Sequence, residues 1–140
     1  ESRRIRGIGR PHKIDRQEII GVYTAVKRWM GLNHEERLSY EETKTLNIIN
    51  ELSAIDGIKV KIIDNIIGHQ PFGLSLNIDS NVYKTNNHDF VELLKNSTPP
   101  IWTRVPDGED SIIIHVFGMN IEQSNIVGKV IKDKLEELKH

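Results

Sequence analysis

Apolar residues recur along this chain at two periods, and the changes of period divide it into elements. Residues 1–13 are basic and glycine-containing, with Arg3, Arg4, Arg6, Arg10, His12 and Lys13 around Gly7 and Gly9, and they read as a connecting segment. From Asp15 the period is helical: Ile19, Tyr23, Val26 and Met30 share one face, Asp15 can cap the start and Gly31 can close the end. After Leu32-Asn33 a longer helix is predicted from about His34 to Ile55, with Leu38, Leu46, Ile49 and Leu52 near one stripe, polar residues facing water and Gly57 as a stop. The period then falls to two. Ile58, Val60 and Ile62 alternate with Lys59 and Lys61, and after a break at His69-Gln70-Pro71 the residues Phe72, Leu74, Leu76 and Ile78 alternate again, which predicts two neighbouring antiparallel strands.

Asn87–Leu94 reads as a short helix with an asparagine cap, ended before Ser97-Thr98-Pro99-Pro100. Ile101–Val105 and Ser111–Phe117 read as a strand pair joined by a tight hairpin at Pro106-Asp107-Gly108. A last helix starts near Ile121, with Val127, Val130, Ile131, Leu135 and Leu138 as its apolar stripe. The order lacks the alternating strand-helix units of a parallel doubly wound sheet. The expected class is α+β, a mainly antiparallel sheet of about four strands with helices on one face.

Composition narrows the picture. At 140 residues the chain suits one mixed core, here assigned to a C-terminal α+β domain over 14–140. Hydrophobic residues at 37% and charged residues at 28% give the balance of a soluble globular protein, not a disordered tail. The formal net charge of -1 removes any global field toward nucleic acid or anionic membrane, so such a role would need the local N-terminal patch. With no cysteine, disulfides, thiolate nucleophiles and sulfur-ligated metals are excluded, and a cytoplasmic home is expected. The longest apolar runs are far below the roughly 20 residues of a membrane span, so no membrane partner is expected. The start, Glu1-Ser2-Arg3-Arg4, has neither an initiator methionine nor a signal-peptide stretch, and reads as cut from something longer.

Three groups of residues are candidates for chemistry. Gly7-Ile8-Gly9-Arg10-Pro11-His12-Lys13 lies directly before a helix, where backbone N–H groups favour anions, and Arg10 and Lys13 add a bidentate fork and a point charge. The bland alternative is a solvated basic leader. Arg104 stands between Thr103 and Val105 just after a double proline; turned inward it would need an anionic partner, and turned outward it would lie on the polar face of an edge strand. The six histidines show no metal-binding spacing, and His115, between Ile114 and Val116, is expected to be a hydrogen-bonded structural residue. Neither Ser75 nor Ser111 lies in Gly-x-Ser-x-Gly, so neither is read as a nucleophile.

The segment from Ile8 to Gly21, reading Ile-Gly-Arg-Pro-His-Lys-Ile-Asp-Arg-Gln-Glu-Ile-Ile-Gly, is similar to the stretch that follows the cofactor-binding lysine in selenocysteine-synthase-like pyridoxal-phosphate enzymes. These include bacterial L-seryl-tRNA selenium transferase and the D-glucosaminate-6-phosphate ammonia-lyase group. The stretch from Ser97 to Val105, followed by Asp107-Gly108, resembles the same family's C-terminal strand pair. The resemblance implies the small domain of a fold-type-I enzyme. A missing upstream domain of the parent chain would supply the Schiff-base lysine and hold most of the pyridoxal 5'-phosphate.

By the same resemblance Arg10 and Lys13 would bind a phosphate or other substrate anion, in their own or a neighbouring subunit, and Arg104 the substrate carboxylate. The parent would be a homo-oligomeric lyase or transferase acting on an amino-acid-like small molecule, phosphorylated or not, and this piece alone would be inactive. Relatives commonly carry an arginine after the last strand, where this chain reads Val116-Phe117-Gly118-Met119-Asn120, which leaves the substrate class open. Selenium transfer would need a tRNA partner that the near-neutral charge does not favour. The smaller-substrate, lyase-like branch is therefore preferred, against the alternative of a free-standing phosphate-binding, RNA-binding or protein-interaction module.

Overall fold

The computed structural model describes residues 15–67 and 70–139. The chain divides into two compact units, residues 1–34 and 35–140. The described part of the first unit is dominated by helix α1, Arg16–Met30. Asp15 Oδ1 accepts from Glu18 N at 2.9 Å while Glu18 Oε2 accepts from Asp15 N at 3.0 Å, a capping box that satisfies two otherwise orphan donors. The sequence reading of this helix, its cap and its end at Gly31 stands. None of its residues is buried.

The second unit holds most of α2 (His34–Leu52), then β1 (Ile58–Ile67), β2 (Gln70–Ile78), the single turn α3 (Ser80–Tyr83), α4 (Asn87–Lys95), β3 (Ile112–His115) and α5 (Ile121–Leu138). The architecture is mixed helix and antiparallel sheet, as expected, but with three strands among the described residues, in the order β1-β2-β3. Ile58 pairs with Ile78, Val60 with Leu76 and Ile62 with Leu74, and β2 continues onto β3 through Leu74–Ile114 and Leu76–Ile112. One face of the sheet is therefore apolar. Leu74, Leu76, Ile78, Ile112, Ile114 and Val116 enter one core with Ile48 and Leu52 of α2, Phe90 and Leu94 of α4, and Ile131 and Leu135 of α5. No described helix is long and apolar enough to cross a membrane.

The expected fourth strand, Ile101–Val105, is reduced to a single bridge, Arg104 to Ile113. Pro99, Pro100 and Pro106 bring no N–H to a ladder. The Ile101 N–H turns back to Leu94 O at 2.9 Å, and Ile113 O accepts from the Thr103 hydroxyl at 2.6 Å. Only Ile113 N to Arg104 O, 2.9 Å, remains of a backbone ladder. Pro106–Glu109 does form a turn, with Glu109 N on Pro106 O and Gly108 at φ +80°, but inside the loop 105–111 and not as a tight hairpin.

Helix α2 also departs from expectation. Leu38 and Leu46 are exposed, and the buried positions are Glu41, Lys44, Thr45, Ile48 and Leu52. The Lys44 ammonium donates to Val116 O at 3.1 Å and Met119 O at 2.9 Å, and pairs with Glu41 Oε2 at 2.8 Å. Two of the ammonium's three donors go to these carbonyls, and the Glu41 contact is an ion pair by distance. The side chain thus fastens α2 to the turn that leads from β3 into α5.

Candidate open-face anion site

With the core on one face, alternation sends every second side chain of each strand to the other. The pairings Lys61–Ser75, Ser75–Ile113 and Ile113–Arg104 make one cross-strand row on that second face, and Ile63–Gly73 and Gly73–His115 make the next. A depression of about 410 Å³ lies over these rows, lined by Ile63, Ser75, Ile113 and His115 from the strands and by Arg104, Pro106, Glu109 and Ser111 from the flanking segment. Buried Asn87 helps to hold its rim: Oδ1 accepts from Ile78 N at 3.0 Å and Nδ2 donates to Asp110 O at 3.0 Å, which fixes the residue beside Glu109.

Arg104 is exposed at this rim, settling the choice between the inward and outward readings in favour of the outward one. Its guanidinium makes no ion pair or hydrogen bond with a described residue within bonding distance, although Glu109 lines the same depression. An arginine fork left in this state matches a planar carboxylate or a phosphate.

His115 was expected to be hydrogen-bonded, and here the structure differs: Nδ1 is buried and finds no partner among the described residues. Burial first, and the Arg104 charge second, push its pKa below the ordinary histidine value, so the ring is neutral at neutral pH. A polar atom buried without a partner is uncommon in a finished core. Neither Ser75 nor Ser111 hydrogen-bonds to His115, so the site holds no serine–histidine pair for acyl transfer. Among the described residues no cluster of three or more His, Asp or Glu side chains could hold a metal ion.

Arg10 and Lys13, the other two predicted anion ligands, and the connecting segment 1–13 lie outside the described residues. Of the residues that line the site, Glu109 was missed by sequence reasoning, and the only available signal was its place beside the Asp107-Gly108 turn. No protein-family model matches this chain, and no curated protein is similar to it in sequence.

Proposed function

We propose that this chain is the substrate-positioning domain of a pyridoxal-phosphate-dependent lyase or transferase acting on an amino-acid-like substrate, and that Arg104 holds the substrate carboxylate. The observation that carries the reading is Arg104 itself, an arginine without a counter-ion among the described residues, at the rim of a depression on the sheet face opposite α2, α4 and α5. The two sequence motifs lend it further support, and Arg104 belongs to the second of them.

The described residues do not fit as holders of the cofactor's aldehyde. Lys44 is the one buried lysine among them, and its ammonium is already committed to two carbonyls and the Glu41 carboxylate. The Schiff-base lysine is accordingly assigned outside residues 15–139, and this chain's own part is to bind and orient the carboxylate. Arg10 and Lys13 are proposed as ligands of a second substrate anion.

Two measurements test the reading. Borohydride reduction of the protein as its cell makes it, followed by peptide mapping, should place a pyridoxyl group on a lysine outside residues 15–139. Titration of the chain with L-serine, followed by NMR, should give an affinity that Arg104→Gln lowers about tenfold or more, the worth of a charged hydrogen bond. Absence of any pyridoxyl peptide, together with L-serine binding indifferent to Arg104→Gln, would overturn it. Anion binding without a pyridoxyl peptide would instead favour a free-standing anion-binding module.

A further inference from the structure

The placement of His115 carries an inference that rests on the carboxylate reading of Arg104 and goes beyond it. Arg104 bridges to Ile113, and His115 lies two residues further along β3 on the same face. In a paired sheet such diagonal neighbours stand about 7–8 Å apart, within reach of long side chains. Both residues line one depression, and Gly73, directly opposite His115, puts no side chain between them and the strand floor. We infer that His115 is the second anion-binding residue of this site: a carboxylate held by Arg104 also contacts the His115 ring, and the ring takes up a proton as the anion binds.

The electrostatics follow from the groups facing His115. Among the described side chains, the bridged segment contributes Arg104, the loop contributes Glu109, β1 places Lys61 at the far end of the adjoining row, and β2 contributes Ser75 and uncharged Gly73. Without ligand, burial first and the Arg104 charge second hold the imidazole pKa below its ordinary value. A carboxylate seated between the two cancels the arginine's repulsion and favours the imidazolium. Linkage then requires that whatever the anion does for the proton, the proton does for the anion. Affinity must rise as pH falls, and the carboxylate must raise the His115 pKa.

The probe is L-serine, whose carboxylate stays ionised and whose amine stays protonated from about pH 5.5 to about 7.5, the range in which histidine titrates. With the full chain, its affinity should strengthen about tenfold across that range toward acid, and the His115 ring resonances should titrate at higher pH in saturating L-serine. His115→Gln should flatten the profile with little change at pH 7.5, whereas Glu109→Gln should leave the slope in place. Arg104, Glu109 and His115 lie outside the core, so far-UV circular dichroism of their variants should be unchanged. A wild-type profile that is already flat, a slope retained in His115→Gln, a slope lost in Glu109→Gln, or an unmoved His115 titration would each overturn the inference. Binding indifferent to Arg104→Gln would reject the carboxylate reading itself, and with it the role given to His115.

Discussion

Gly57 stands at φ +82°, a conformation that costs a residue with a Cβ, and the space is closed as well: an added Cβ would meet Val82 Cγ1 at 2.7 Å and Tyr83 Cε2 at 2.8 Å. Tyr83 is fully buried and donates its hydroxyl to Asp56 O, so it cannot swing away without giving up that bond. Gly57→Ala should therefore lower stability by about 2 kcal/mol or more, read as a shift of the urea midpoint at unchanged slope. His115 yields a prediction of a different kind. Its pKa in the folded chain lies below the ordinary 6.5, so below that pH the unfolded chain binds a proton that the folded chain resists. The histidine's contribution to stability is present above pH 6.5 and is lost as pH falls toward the depressed folded value. Urea midpoints of wild type and His115→Gln, compared from about pH 7.5 to about 5, should diverge toward acid with the variant declining less. Sequence read His115 as a structural residue and named Arg104 as a candidate without fixing which way it points. That choice depends on which N–H groups the neighbouring prolines withhold from the ladder.

Among the elements, α2 holds the largest surprise and the sharpest test. Lys44→Met would remove the ammonium that serves Val116 O, Met119 O and Glu41, leaving a buried carboxylate and two carbonyls without their donor. The expected loss is about 3–5 kcal/mol, as for a broken buried pair, and Glu41→Leu in the Lys44→Met background should recover part of it. A double-mutant cycle by urea denaturation reads both numbers. The pairing escaped the periodicity argument because the buried stripe of α2 runs through Glu41, Lys44 and Thr45, while Leu38 and Leu46 stay exposed. A helical wheel weighs apolarity, and here a carbonyl-lined turn from another part of the chain decides which face goes inward. Elsewhere the local signals sufficed. The capped helices α1, α4 and α5 and the alternation in β1 and β2 were legible because each rests on nearby residues, such as Asn86 accepting from Asp89 N and Asn120 from Gln123 N. The strand predicted at Ile101–Val105 failed because its own Ile101 N–H turned back to α4 and the Ile113 carbonyl of its partner accepted from the Thr103 side chain.

At the scale of the whole molecule, burial is distributed unevenly. Every buried residue among those described lies between Glu41 and Leu135, inside the second unit, and α1 contributes none. Its apolar side chains, Ile19, Tyr23, Val26 and Met30 among them, are half or more exposed. Helix α1 has 15 residues and a capping box at its start. The cooperative unit should then be the sheet with α2, α4 and α5. Removal of residues 1–33 should leave a single urea transition with its midpoint changed by no more than about 0.5 kcal/mol in stability, the range of surface changes. A loss well beyond that would mean that the apolar stripe of α1 is covered in solution and belongs to the same core. An unchanged transition would mean that the stripe from Ile19 to Met30 adds nothing to this core, and that the open-face site with Arg104 and His115 can be studied on the second unit alone.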